Sequence, residues 1–276
     1  MQAMDIANDA LDKVLENIKT AFQLSIPVLS IVLIISAAFS FSFWLAVYSG
    51  NDSGVRAFMS APLGMARAFA IPVLLIVIGV YWITVAWHRF VILEEKPAGI
   101  LPKLHLGCIW GYLWRLVVLS FVIGIVIGLP LAVLSNVVGG GGQINIADYS
   151  EALKSGPVAV IINMVGTAAF AYVFMRYSPF LVAAAIGQPI KASTGRESTY
   201  WARKAIFVLA IGYAVMSLLS SFIGGGLSTG FWPIDLAIVL VLQWVGFMFT
   251  ISLLTTIYQK SAEQYADTSK AGGILT

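Results

Sequence analysis

Residues 81–97 read YWITVAWHRFVILEEKP, an aromatic and apolar run that passes through His88 and Arg89 into the acid pair Glu94 and Glu95. Either these polar residues form a catalytic cluster or they mark the place where a membrane helix meets water, and the rest of the chain decides between the two. It is 59% hydrophobic and 11% charged, with a mean hydropathy of +0.92, whereas soluble domains carry about 25% charged residues. Charges are absent from Phe22 to Gly50, Ala68 to His88, Leu116 to Ala147, Gly156 to Met175, Ala205 to Ile234 and Leu236 to Gln259. Each window reaches the roughly 20 residues that a helix needs to cross a bilayer. The sequence therefore predicts an all-α polytopic membrane protein with six transmembrane helices in three hairpins. The span cores are expected at 24–48, 66–88, 113–135, 158–177, 204–224 and 235–258.

The opening MQAMDIANDALDKVLENIKT lacks the short basic region and immediate apolar run of a cleavable signal, so it is expected to stay in the mature protein. Ala7, Leu11, Val14 and Ile18 follow helical spacing. They predict an amphipathic interfacial helix over 1–20, followed by a transmembrane domain over 21–260 and a flexible tail over 261–276. The opposite face carries Asp5, Asp9, Asp12 and Glu16 against Lys13 and Lys19, a pattern that anionic lipid repels and that leaves docking to a basic protein partner as the alternative to a solvated face.

Lys and Arg set the orientation. The N-terminus, the 2–3 and 4–5 connections and the C-terminal tail hold thirteen of them, and the opposite segments hold only Arg56, Arg67 and Lys154. Both termini are expected in the cytoplasm. No basic run with interleaved aromatics suggests nucleic acid.

Outer turns SGNDSG (49–54), GGGG (139–142) and GGGLSTG (224–230) separate the paired spans. NIKTAFQL, YLWRLVVL and WARKAIFVL enter them about 90 residues apart. This spacing suggests a degenerate threefold repeat of an interfacial helix followed by a hairpin. In that frame Arg89 is a boundary anchor, its guanidinium reaching lipid phosphates while its stem stays in apolar surroundings. Trp82, Trp87, Trp110, Trp114 and Trp201 make one aromatic belt, and Trp44 and Trp232 the other. Glu94 and Glu95 are expected to diverge on a solvated surface rather than to act as a general acid and base.

Arg89, Arg115, Arg176, Arg203 and Lys204 all fall at span ends on the cytoplasmic side, and so form a candidate cationic ring for an anionic headgroup. Two interhelical polar pairs are also expected, Arg67 with Asp235 and Asn163 with Gln243. Pro27, Pro72 and Pro130 can kink their spans, and Gly124-Ile-Val-Ile-Gly128 allows close helix approach. His105-x-x-Cys108 with His88 supplies three metal-ligand types, short of the four of structural zinc, so no metal and no cofactor is expected. Walker, G-x-S-x-G and H-E-x-x-H motifs are absent from the sequence.

VAWHRFVILEEKP, MRYSPFLVAAAIGQPIKASTGREST and the closing LLTTIYQK resemble a broad group of uncharacterised bacterial inner-membrane proteins with six helices. That group includes a membrane domain found beside glycerophosphodiester phosphodiesterases. The resemblance implies a bacterial inner membrane and a six-helix fold, and carries over no phosphodiesterase residue. The function expected is a non-enzymatic membrane protein that organises lipid or a membrane-protein partner complex. The alternative is a transporter or flippase for an amphipathic or anionic solute.

Overall fold

The computed structural model describes residues 3–97, 99–138, 157–226 and 232–272, and every regular element among them is helical. Six helical stretches are long and apolar enough to cross a membrane: Ile18–Tyr48, Leu63–Leu93, Leu106–Leu134, Pro157–Arg176, Tyr200–Ser221 and Ala237–Gln264. The protein is therefore an all-α, multi-pass membrane protein with spans close to those expected. The GGGG turn and residues 227–230 lie outside the described residues.

The first two spans pack along each other as α2 (Ile18–Tyr48) and α5 (Ile71–Leu93). Gly79 permits this approach, since a Cβ there would stand 2.8 Å from Val32 Cγ2. Between them, Gly50 takes the left-handed φ of +66 that a tight turn requires. Asn51 then caps a short outer helix, α3 (Asp52–Ser60), by accepting from the Gly54 amide at 2.9 Å. α4 (Pro62–Met65) leads into the second span.

Two of the three prolines inside spans follow a widened π-helical turn, Ala66–Ala70 before Pro72 and Gly124–Gly128 before Pro130. In both, the residue before the proline reaches five back, Ile71 N–H to Ala66 O and Leu129 N–H to Gly124 O. A proline ring collides with the carbonyl four residues earlier and offers no N–H of its own. One extra residue in the turn relieves the collision without breaking the span. A Cβ on Gly124 or Gly128 would meet nothing within 4 Å, so the expected close approach at this G-x-x-x-G is not made among the described residues. The third span is α6 (Leu106–Ile123), this turn and α7 (Leu129–Val138).

α8 (Pro157–Arg176) is the fourth span, and the chain then breaks at Tyr177 into α9 (Ser178–Ala185). At about 1.5 Å per residue, α9 is roughly 12 Å long and too short to cross a bilayer. It is apolar all the same, and Leu181, Val182, Ala183, Ala184 and Ala185 are buried among α5, α6 and the last helix. α10 (Ala192–Ser198) and a 3-10 turn at Tyr200–Ala202 lead into α11 (Arg203–Gly226). The final helix, α12 (Trp232–Gly272), runs on through 261–272, where the sequence suggested a flexible tail.

α11 lies chiefly on α8, whereas α12 packs on α5, α9 and the N-terminal helix α1 (Ala3–Glu16). Consecutive spans therefore pair tightly in the first hairpin, while those of the third turn to different partners. The threefold repeat is also incomplete. Helices precede the first and fifth spans, but residues 94–97 and 99–105 ahead of the third form none.

α1 is built into the protein. Ile6, Ala10 and Val14 are buried in the core, Lys260 forms an ion pair with Asp9, and Lys13 Nζ donates to Thr256 Oγ1 at 2.9 Å. Burial among these groups pushes the Lys13 ammonium below its ordinary value, more than neighbouring Asp9 raises it. The docked face is Ile6–Ala10–Val14 rather than the expected Ala7–Leu11–Val14–Ile18, because α1 carries two apolar stripes. Small and branched residues fit against α12. Met4, Leu11 and Leu15 remain exposed on the second stripe, roughly a third of a turn away.

Candidate functional site

The polar residues of the opening stretch separate sharply. His88 is fully buried, its Nδ1 2.8 Å from Thr255 Oγ1. The Thr255 hydroxyl donates to the Ile251 carbonyl, which leaves Nδ1–H as the donor on the histidine. Nε2 faces the interior with no hydrogen-bond partner, and Trp87, expected in the aromatic belt, is fully buried beside it in sequence. Trp110 and Trp114 are exposed, as a belt requires.

Arg89 does not reach outward. Glu94 ends α5 in the left-handed region, φ 55, and this turns Glu95 back so that its Oε2 accepts from Arg89 Nε at 2.7 Å. His105 Nε2 lies 3.0 Å and Lys103 Nζ 3.6 Å from Oε1 of the same carboxylate. Partial burial pushes the Glu95 carboxyl up, but the hydrogen bonds and charges of Arg89 and His105 outweigh it and hold the group below its ordinary value. The cavity beside this node is about 10 Å³, at the limit for a single water. The node thus ties the 94–105 connection to the bundle and has no room for a solute.

Replacing Glu95 with Gln is expected to cost about 1.5–3 kcal/mol, since Arg89, Lys103 and His105 lose their charged acceptor. A folded-state carboxyl below its ordinary 4.5 stabilises fully above that pH and loses its contribution as pH falls through the lowered value. Thermal melts at stepped pH in detergent should show the loss in the variant at neutral pH, and a shallower acid limb.

Three of the four remaining cations of the expected ring take separate partners. Arg115 lies over the Phe180 ring at 5.0 Å and donates to the Gly111 carbonyl. Arg203 stacks on Tyr200 at 4.8 Å, and Lys204 is exposed. Arg176 Nη1 donates to the Thr199 carbonyl at 2.5 Å, and buried Thr199 offers its hydroxyl to the carbonyls of Arg176 at 3.0 Å and Arg196 at 2.9 Å. Thr199 is therefore a clasp that fixes the end of α10 against the end of α8.

Arg176 and Arg196 stand at one end of a cleft of about 370 Å³ between the third and fourth spans. One wall is Leu119, Val122, Ile123, Val126 and Ile127, and Tyr172, Val173 and Tyr177 face it from α8. Val126 is 65% exposed, so the cleft opens sideways along the bundle, where acyl chains would lie. Arg196 was not among the residues marked from sequence. It sits in the polar connection 187–199, and the Thr199 clasp, with Gly195 packed on Phe180 of α9, brings it to the end of α8. A Cβ at Gly195 would stand 2.9 Å from Phe180 Cβ and 3.0 Å from its amide.

The interhelical pair Asn163 with Gln243 does not form. Asn163 is buried with its Nδ2 unpartnered, and Gln243 is exposed. Both are polar and lie at similar depths, but the α8 face bearing Asn163 turns to protein and the α12 face bearing Gln243 turns out. Arg67 is exposed on its π-helical turn, and Asp235 occupies the first turn of α12, where amide dipoles favour a negative charge. No protein-family model, curated protein or solved structure matches the chain.

Proposed function

We propose that this membrane protein organises anionic lipid at the end of its bundle where α1 meets α12, and does so without catalysis. The supporting observation is the lateral cleft, which joins two arginines to an apolar wall. From Leu119 to Ile127 that wall is about 12 Å long at 1.5 Å per residue. Its volume lies at the lower end of ligand pockets, roughly 300–1,000 Å³. A headgroup at Arg176 and Arg196 with a chain along the wall satisfies both parts. The cytoplasmic position of both termini, which rests on the thirteen-to-three distribution of Lys and Arg, and a place in a bacterial inner membrane, which rests on the resemblance given above, belong to the same proposal. So does membership of the six-helix inner-membrane group.

Native mass spectrometry of the protein in mild detergent should show bound anionic phospholipid. Arg176→Gln with Arg196→Gln should lower retention about thirtyfold, at about 1 kcal/mol for each charge. Equal retention in the double variant would remove the cleft as the site. Lipid flipping by the reconstituted protein would replace the organising role with transport.

A further inference from the structure

Three cations gather at the end of α8. Besides Arg176 itself, the groups acting on it electrostatically are Tyr172, Arg196, Tyr177 and Arg203, and no carboxylate among the described residues is in that set. A cluster of cations attracts anions in proportion to their charge. The Arg176 guanidinium keeps donors beyond the one spent on the Thr199 carbonyl, since a guanidinium carries five N–H groups. Its orientation is set by the clasp before any ligand arrives, which lowers the entropy cost of binding. Guanidinium forks match phosphate oxygens in pairs, and two forks meet a tetrahedral phosphate with three free oxygens better than a diester with two.

Resting on the lipid-organising function above, we propose that the cleft selects a membrane lipid with a phosphate monoester headgroup over one with a phosphodiester headgroup. The dianionic phosphate sits between Arg176 and Arg196, within the field of Arg203, and one acyl chain lies against Leu119, Ile123 and Ile127. Zwitterionic phosphodiester lipids are disfavoured because their ammonium is repelled by the arginines. Diester lipids of single charge bind, but more weakly. Arg203 acts here through its charge, and its own guanidinium stays stacked on Tyr200.

The test uses the full chain in nanodiscs made from equimolar phosphatidate, phosphatidylglycerol and phosphatidylethanolamine, with lipids co-released on transfer to detergent counted by mass spectrometry. Phosphatidate should exceed phosphatidylglycerol about fivefold, the factor given by one added charge near a basic surface. Arg176→Gln with Arg196→Gln should bring the ratio to parity. Arg115→Gln removes a neighbouring cation that the cleft does not use, and should leave the ratio unchanged while controlling for general loss of charge. Retention of both anionic lipids at parity by the wild-type protein, with loss of both in the double variant, would overturn the monoester selectivity and leave lipid organisation standing. Absence of any retained anionic lipid would overturn both. Inorganic phosphate added at millimolar concentration should not displace phosphatidate, because it has no chain for the apolar wall. Displacement would show that the site reads phosphate alone and would overturn the lipid as its occupant.

Discussion

Ile6→Asp is expected to release α1 from the bundle while the six spans stay folded. Ile6 is fully buried among residues of α8, α9, α11 and α12, and a carboxylate in that place has no partner. An uncompensated buried charge costs about 3–5 kcal/mol. The helix need not bear that cost in full. Its ties to the bundle include the buried Ile6, Ala10 and Val14, the Asp9–Lys260 ion pair and the Lys13–Thr256 hydrogen bond, and undocking brings the new charge into water and caps the penalty at the free energy of local opening. Hydrogen exchange should show residues 3–16 losing protection with the spans unchanged. Asn8→Asp puts the same charge on the exposed side of α1 and should stay within about 0.5 kcal/mol. Unchanged protection in Ile6→Asp would mean that α1 is held by lipid rather than by α12.

Leu181→Ala is expected to destabilise the bundle by about 2–5 kcal/mol, the range for a leucine removed from a core that cannot collapse around the gap. Leu181 is enclosed in α9 with Val85, Ile109, Tyr112 and Ile123 around it, all carried on spans whose positions other contacts set. Phe121 is the contrast. It is larger and 68% exposed on the surface of the third span, where lipid fills the space it leaves, and Phe121→Ala should stay within about 0.5 kcal/mol. Reversible unfolding in mixed micelles measures both. Equal losses would show that α9 is not the plug of the bundle.

Much of the fold was legible because a bilayer makes stringent demands on a chain. Each of the six charge-free windows became a span, since every backbone amide in hydrocarbon needs a partner and a helix supplies one within its own segment. Apolar pattern does not say which surface an apolar residue meets. SPFLVAAA looked like the end of one span and the start of a connection, yet seven of the eight residues of α9 are buried, because protein and lipid are equally apolar to a sequence. The same ambiguity misplaced the docked face of α1, set Trp87 in the belt instead of the core, and paired Asn163 with an outward-facing Gln243.

The site was legible in part. Arg176 stands out as a cation at a span end, but so do Arg89, Arg115 and Arg203, and sequence treats the four alike. Their fates diverge through side-chain contacts, some local and some long-range: a left-handed turn at Glu94 hands Arg89 to Glu95, Phe180 takes Arg115, and Tyr200 takes Arg203. By itself the sequence determined the helical class, the six spans and the basic character of one boundary, because these follow from hydropathy, length and charge counted along the chain. Tertiary structure alone decided that Arg196 joins Arg176 above the cleft. That meeting depends on Thr199 reaching both carbonyls and on Gly195 lying against the backbone of Phe180, and ångström-scale closeness between separate helices leaves no mark in local composition.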